Sequence, residues 1–594
     1  MKGAIIVAEK PSVARAIREA LASIGEEVTV ASVRGHVLDA DLPAEYRSWT
    51  RVDPLELIRV RRFRYVVRDF ESYRALLELF RSHSPLVIAT DNDHEGELIG
   101  SEVLAIYRGV RGERSPFYRM RFNSVDRDEI LRAWRSLEPD LRWSWVNKAE
   151  FRRTFDLLTG AAYTRFLTLR ARRLGHRGLI SWGSCQTPTL NFVVKRDAEV
   201  ESFKPRPFWY IEAELRTKSG EVLVAGSQRF WDEEAARESF GRAKGVGEAV
   251  VEAYSERTVT LQRPTPLRTD DALRDLVRIT ERSASEVLDA MERLYSEGYI
   301  SYPRTDTNRY PTGFDFRRPL SAVVQSGIVE RRELRPVPNP RQGKHDDGAH
   351  PPIYPIRPFR SGGFLGAIWE YVARRFVANA FLEDAAVLNQ EAVFDLAGVR
   401  LSASGRMVVK RGFLEVYVYQ RVSDEPIPRL SRGERLEVVE VRLRRGQTSP
   451  PPRMTESELI ALMERSGIGT DATRATFPSL IVERGYAARV GKSLISTELG
   501  RSLISALERV DERLVSPETR RHVEEMMTLV ERDGRDWRSL LDESVARYEE
   551  LLAKLASSWQ SVGGDVMRAI GGAPADTRPH RRRKRARGDT AKPS

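Results

Sequence analysis

Two formats of hydrophobic patterning alternate along the chain. Near the N-terminus the short apolar, β-branched run of "GAIIVAEK" ends in Glu9, and "VARAIREALASI", after Pro11 and Ser12, repeats apolar residues at helical spacing. "PLVIATDNDHEGELIGSEVLAIY" returns to the format with a buried strand from Leu86 to Ala89, a polar elbow, then an amphipathic helix from near Glu95. Strands that pass at once into helices predict a mostly parallel sheet, and such sheets gather ligands at the carboxyl ends of their strands. Residues 139–203 read as largely helical. From "PFWYIEAELRT" at 207 to about Ser255 the period drops to two, which predicts strands, and it does so again from "NQEAVFDLAGVRLSASGRMVVKRGFLEVYVYQR" to about Arg445. An α-rich block, 265–387, separates the two β stretches, so the economical reading is one β domain interrupted by a helical insertion. Past "TSPPPR" helical patterns dominate to about residue 560, with no solenoid repeat. The expected fold is multidomain: α/β over 1–138, helical over 139–203 with 447–560, β-rich over 204–264 with 388–446, α-rich over 265–387, and a basic tail over 561–594.

Composition narrows the class without naming a function. At 594 residues the chain is too long for one ordinary core, and 41% hydrophobic with 31% charged residues is the profile of a folded soluble protein. No apolar run approaches the roughly 20 residues of a membrane span. "MKGAIIVAEKPS" lacks the apolar core and cleavage site of a signal peptide, so the expected location is the cytoplasm, at the nucleoid, or a nucleus if the source has one. Cys185 is the one cysteine, which excludes internal disulfides and thiolate zinc clusters and leaves oxygen or histidine to hold any metal. The balance of 97 basic against 85 acidic side chains gives +12, a pointer to a polyanionic partner. Half of that excess, +6, comes from residues 576–594, which hold eight basic and two acidic side chains. This Arg-rich end reads as disordered, either a solubilising end or a nucleic-acid arm whose affinity falls with salt. No P-loop of the GxxxxGKS/T type occurs, so no nucleotide cofactor of that kind is expected.

Two separated stretches carry chemistry. Glu9 closes the first strand, and Asp91, Asp93 and Glu95 stand at and just past the end of the second; if the strands are neighbours in a parallel sheet, four carboxylates converge at one rim. Such a cluster suits Mg2+, which takes hard oxygen ligands and keeps waters for a phosphate partner. Taken alone, "DNDHEGE" reads better as a solvated turn capping the next helix. Glu9 shifts the balance toward a metal, because carboxylates this close raise one another's pKa unless a cation neutralises them. Lys10 is either an ordinary surface lysine or a point charge for a phosphate oxygen. The second stretch is "SYPRTDT", where Pro303 biases Tyr302 toward extended backbone. A phenol with a pKa near ~10 is a poor nucleophile at neutral pH unless a cation or base stabilises its anion. Arg304, two residues on and on the same side of an extended chain, suits a two-pronged grip on a phosphate. Tyrosine, arginine and magnesium carboxylates together specify phosphoryl transfer on a nucleic-acid backbone; without the acids the segment is a proline-bracketed turn with a packed tyrosine.

Seven blocks, in order and at characteristic spacing, point to a known family: "IIVAEKPSVARAI", "ATDNDHEGELIG", "FRRTFDLLTGAAYTRFLT", "ISWGSCQTPTLNFVVKRDAEVESFKP", "LYSEGYISYPRTDTNRYP", "GAHPPIYPI" and "PPPRMTESELIALMERSGIGTDATRATFPSLIVERGYA". Over about residues 1–560 the chain resembles the type IA DNA topoisomerases, topoisomerase III in particular. The resemblance implies an N-terminal Toprim α/β domain within a torus enclosing a central hole. It implies an ATP-independent, Mg2+-dependent enzyme that cuts one DNA strand through a 5′-phosphotyrosine link, passes a strand and reseals, relaxing negative supercoils or decatenating DNA. Residue by residue, it implies Tyr302 as nucleophile, Arg304 as the adjacent phosphate-binding arginine, and Glu9 as the acid beside the scissile phosphate. Asp91, Asp93 and Glu95 match the metal-binding DxDxE, with Glu9 beside them; Lys10 matches a phosphate contact and His350 a histidine near the bound strand. Gln186 and Thr187, and Thr470, Asp471, Thr473 and Arg474, fall in blocks that line the single-strand groove. On the residues alone, Gln186 is a helix-start residue and Thr470 or Asp471 an N-cap. Arg152 and Arg153 are either one solvated face or DNA contacts. Two departures stand out: "GSCQ" replaces the common GRVQ, so an arginine contact is missing at Ser184, and no Cys-based zinc modules follow. The expected partner is DNA, chiefly single-stranded or negatively supercoiled, bound by a monomer without membrane or nucleotide cofactor. The rival readings are a Toprim-type nuclease or primase, which uses the carboxylates without Tyr302, and a non-catalytic single-stranded-DNA-binding scaffold.

Overall fold

The computed structural model describes residues 3–173, 176–331, 334–470 and 473–572. Its N-terminal region runs β1 (Ile5–Ala8), α1 (Pro11–Ala22), β2 (Thr29–Ser32), β3 (Leu38–Asp41), α2 (Pro54–Leu57), β4 (Arg64–Val67), α3 (Phe70–Ser82), β5 (Leu86–Ala89), α4 (His94–Arg111), β6 (Phe117–Arg119) and α5 (Arg127–Arg135). Four strands form a parallel sheet in the order β2-β1-β5-β6, and β3 pairs antiparallel with β4. Every residue of β1 and β5 is buried, which is why both read as unbroken apolar runs rather than alternating ones.

Two helices, α6 (Trp143–Arg172) and α7 (Gln186–Ser202), lead into β7 (Pro207–Arg216), β8 (Val222–Ser227), α8 (Glu233–Ala243) and β9 (Glu248–Leu261). The chain then leaves the β region for α9 (Thr269–Thr280), α10 (Ala284–Ser296), α11 (Arg317–Ser326) and α12 (Gly363–Phe381), and returns through β10 (Ala385–Leu396), β11 (Val399–Lys410) and β12 (Arg435–Gln447). The six strands close a barrel in the order β10-β11-β8-β7-β12-β9. In β7, Trp209, Ile211, Ala213 and Leu215 are buried and their neighbours are not, the period of two that one covered face imposes. α10 opens with a reciprocal capping box between Ser283 and Glu286, so its start is well defined by sequence. One continuous apolar cluster joins the sheet region (Ile6, Val87, Phe122) to the insertion helices (Leu273, Met291, Trp369), with Tyr295 and Tyr302 within it.

The C-terminal region comprises α13 (Glu456–Arg465), α14 (Phe477–Glu483), the hairpin β13 (Ala487–Val490) and β14 (Ser493–Ser496), then α15 (Glu498–Val510), α16 (Pro517–Asp533) and α17 (Trp537–Gly572). α17 continues past the expected limit near 560, because the buried stripe Tyr548, Leu551, Leu555, Trp559, Val562 and Val566 keeps its helical spacing. The tail beyond Gly572 lies outside the described residues. α14 starts directly after Thr476, whose side chain makes no capping bond, so Thr470 is not its N-cap; Asp471 lies outside the described residues. No helix among the described residues is long and apolar enough to cross a membrane.

Candidate active site

The register Ala8↔Ala89 sets Glu9 level with Thr90 at the sheet's carboxyl edge, and the Asp91 amide donates to Glu9 Oε2 at 3.2 Å. The loop behind them is pinned by Arg119, which is 0% exposed. Its guanidinium donates to the carbonyls of Ile88 (3.3 Å), Thr90 (3.0 Å), Asp91 (2.8 Å) and Met120 (2.7 Å) and to Glu97 Oε1 (2.8 Å). A charge buried this fully is tolerated only when it is paired and hydrogen-bonded. Gly96 lets the loop cross the start of α4, since a Cβ there would lie 2.0 Å from the Asp91 carbonyl oxygen. Asp93 is the N-cap of α4, with Oδ1 accepting from the Gly96 amide at 2.6 Å. The capping reading of "DNDHEGE" therefore holds for Asp93, and its Oδ2 is left for another partner.

That partner is Tyr302, whose hydroxyl donates to Asp93 Oδ2. The Tyr302 N–H donates to the Asn123 carbonyl at 2.9 Å, across to the sheet region. Its ring stacks on His350, centroids 5.0 Å apart and planes at 29°, and meets Tyr295 edge-on at 5.2 Å. Burial, then the charges of Asp93 and Asp91, push the Tyr302 phenol well above its ordinary value. Asp93 is held low: burial would raise it, but the Tyr302 hydroxyl, the Arg304 charge and the Gly96 amide prevail. Tyr295 donates to Asp91 Oδ1 at 3.2 Å. Asp347 Oδ2 lies 3.0 Å from His350 Nδ1 and also accepts from Thr305 Oγ1 (3.1 Å) and the Asp306 amide (3.3 Å), tying the histidine to the segment that carries Tyr302. Two cations complete the site: Lys10 Nζ is 2.9 Å from Asp91 Oδ2, and Arg304 Nε donates to Glu292 Oε1 at 2.7 Å.

The four acids reach the rim without forming a closed cage, which corrects the expected convergence of Glu9, Asp91, Asp93 and Glu95. Glu95 turns aside to His36 Nε2 at 3.1 Å, and His36 Nδ1 lies 2.9 Å from Glu102 Oε1. Among the described residues no three His, Cys, Asp or Glu side chains are grouped to hold a metal ion. Strand position carries the carboxylates to one edge, but each side chain then turns to its nearest donor. The donor set nonetheless fits a hard divalent cation, being all oxygen. Glu9 is pushed up to about 8, by burial first and then by the charges of Asp91 and Asp93 against that of Lys10, as at an anionic edge short of positive charge.

Residues 4–125 match the family model of the Toprim domain, and residues 140–542, the greater part of the chain, match that described as DNA topoisomerase. The chain belongs to the type IA DNA topoisomerases. It is 34% identical to DNA topoisomerase 3-alpha of Drosophila melanogaster over 92% of its own length, but spans only 45% of that relative. With human DNA topoisomerase 3-beta-1 the identity is 33%, covering 91% of the chain and 68% of the relative. With DNA topoisomerase 3 of Candidozyma auris it is 34%, covering 88% and 86%. The fold matches full-length topoisomerase I from Thermotoga maritima with a TM-score of 0.75 at 22% identity, covering 93% of this chain and 90% of that one. Toprim domains are typically metal-binding.

Several side chains expected along the strand groove of this topoisomerase are engaged internally. Gln186 and Thr187 are 5% and 1% exposed, and Gln186 Nε2 donates to Ser181 Oγ at 3.1 Å. Arg153 bridges Glu102 (2.8 Å) and Glu150. Arg152 donates to Thr470 Oγ1 (3.2 Å) and Thr473 Oγ1 (2.9 Å), while Arg474 pairs with Asp270 and donates to the carbonyls of Ile468 and Gly469. Burial for Gln186 and Thr187, and ion pairing for Arg153 and Arg474, draw these groups inward. Ser184, where an arginine contact is missing, is 5% exposed and accepts through Oγ from buried Arg520 of α16, which also donates to Asp156 Oδ1, both at 2.8 Å. Sequence reasoning missed His36, Glu292, Tyr295 and Asp347. His36 lies just past β2, so the strand-end rule reaches it; Glu292 and Tyr295 lie one turn apart on α10, and Asp347 carries no local signal.

Proposed function

We propose that this chain cuts one strand of single-stranded or negatively supercoiled DNA through a 5′-phosphotyrosine on Tyr302, lets another strand through and reseals, without a nucleotide cofactor. The observation that carries this reading is the Tyr302 hydroxyl bonded to Asp93 at the sheet edge that also holds Glu9. Tyr302 Oη, oriented by Asp93, attacks the phosphorus and gives up its proton to water, while the bond from phosphorus to the 3′ oxygen breaks. Glu9, whose carboxyl is pushed up by burial and by the charges of Asp91 and Asp93, supplies the proton to that oxygen. Arg304 and Lys10 balance the charge that grows on the phosphate. Resealing reverses each transfer, with Glu9 as base, and the phosphotyrosine retains the energy of the broken bond. Asp91 and Asp93, joined by Glu95 once it leaves His36, would hold Mg2+, which would supply charge neutralisation among the carboxylates and on a phosphate oxygen. The insertion carrying Tyr302 and the sheet region act as separate domains that part to open the gate. The chain works as a monomer, in the cytoplasm or a nucleus.

The test incubates wild type and Tyr302→Phe with end-labelled single-stranded DNA and Mg2+, then denatures. Wild type should leave a covalent protein-DNA adduct and the variant none. An absent adduct, or equal cleavage by the variant, returns the chain to the nuclease or scaffold readings.

A further inference from the structure

α10 brings one acidic side chain to the cationic end of this site. Glu292 Oε1 accepts from Arg304 through Nε at 2.7 Å and through a terminal guanidinium nitrogen as well, while Oε2 lies 3.9 Å from Lys10 Nζ. The three side chains are 22–28% exposed, at the mouth of the site rather than in bulk solvent. A guanidinium receives a carboxylate and a phosphate through the same planar fork. A single anion spanning the two cations that the proposed reaction assigns to phosphate therefore occupies a phosphate's place. We propose that Glu292 is a stand-in for the scissile phosphate, holding Arg304 and Lys10 in position while the site is empty of DNA and yielding when a strand enters.

This inference rests on the reading of the Tyr302 site given above. The stand-in acts in both directions. Arg304 without an anion would be a half-buried, unpaired charge free to turn onto Asp93, the partner Tyr302 needs. A phosphate that enters must exchange one charge-assisted contact for another, so Glu292 lowers affinity for the strand. Once the strand is resealed, the carboxylate competes for the same cations and speeds release.

Tyr302→Phe, which cannot cleave, provides the background for the test, with an oligonucleotide that wild type cuts at a mapped phosphate. Adding Glu292→Gln should tighten binding by about fivefold, the worth of one partly exposed ion pair, and slow dissociation. The gain should vanish on an oligonucleotide with an uncharged methylphosphonate at the mapped position, a readout that a purely structural role would not move. Glu292→Ala should shift binding in the same direction. Equal or weaker binding would mean that Glu292 stays on Arg304 and orients it, and would overturn the proposal, as would a gain that survives the methylphosphonate. Adduct formation by wild type on the same oligonucleotide separates the two failures: its absence removes the site reading, whereas an adduct with no Glu292 effect removes only the stand-in.

Discussion

The insertion helices α9–α12 and their Tyr302 segment are fastened on two sides, and the two seams are built differently. Toward the sheet region the contacts are Tyr302 on Asp93, Tyr295 on Asp91 and the Arg304–Glu292–Lys10 bridge, set against buried rings. Toward the C-terminal helices they are ion pairs and caps. Arg268 and Arg274 both reach Glu464, Arg474 pairs with Asp270, the Ala284 amide donates to Glu456 at 2.7 Å, and Lys492 meets Glu281 at 2.8 Å. The first seam moves proton affinities: Glu9 is pushed up, and the phenols of Tyr295 and Tyr302 lie well above their ordinary value through burial and nearby carboxylates. The second is anchored by arginines, whose charge persists at any working pH. Chemistry and closure are thus assigned to opposite faces of one insertion, and the proposed gate must open both.

Glu9→Gln strikes the reactive seam hardest. Removing the acid should slow single-turnover cleavage by about 10^2 to 10^4-fold with oligonucleotide binding retained; unchanged cleavage would detach Glu9 from the reaction. In wild type, cleavage should fall as pH rises and Glu9 loses the proton it donates, and Glu9→Gln should lack that limb. The same shift acts on the stability of the metal-free chain. A carboxyl raised from 4.5 to about 8 keeps its proton in the folded chain where the unfolded chain has lost it, so this contribution is complete below about 4.5 and disappears through 8. A melting midpoint that climbs across this interval in wild type relative to Glu9→Gln would contradict the sign.

Glu464→Gln addresses the other seam. Arg268 retains Asp271 at 3.3 Å and Asp306 at 2.9 Å, so the cost should be about 1–3 kcal/mol by thermal denaturation. Cleavage of a short oligonucleotide should be unchanged, while plasmid relaxation, which needs the gate to open, shifts severalfold. Loss of oligonucleotide cleavage would erase the distinction between the seams. The smallest effect is expected from Lys492→Ala, because Lys492 and Glu281 are 66% and 62% exposed and such pairs contribute little. Melting and relaxation should both match wild type, and a clear shift in either would give this exposed pair a role in closure.

The elements nearest the chemistry were the most legible. "AIIVA" and "LVIA" are short, wholly apolar and followed at once by helices, a pattern with few other solutions than adjacent buried parallel strands. Alternation similarly exposed the barrel strands, since a closed sheet has one inner face. Tyr302 and Arg304 were conspicuous for being polar groups on a segment that cannot be helical. Less legible were side chains whose direction depends on a partner far along the chain. Glu95 sits where a metal ligand belongs yet turns to His36, and Gln186, Thr187 and Arg153 are drawn inward by Ser181, Glu102 and Glu150. Nothing local to Ser184 announces its bond from Arg520, 336 residues later.

What the amino-acid sequence determined alone is a partial layout: two buried strands that end in Glu9 and just before Asp91, the long helical stretches, two alternating regions, and a tyrosine-arginine pair on extended chain. Backbone periodicity and turn chemistry are local, so they survive in one dimension. Tertiary structure alone decided the pairings: Asp93 divided between a helix cap and Tyr302, Asp91 shared by Lys10 and Tyr295, and Glu292 laid across both cations. Those choices depend on which opposite charge or donor comes within about 3 Å once the elements pack, and at that range electrostatic and hydrogen-bond energies outweigh any preference written in the local sequence.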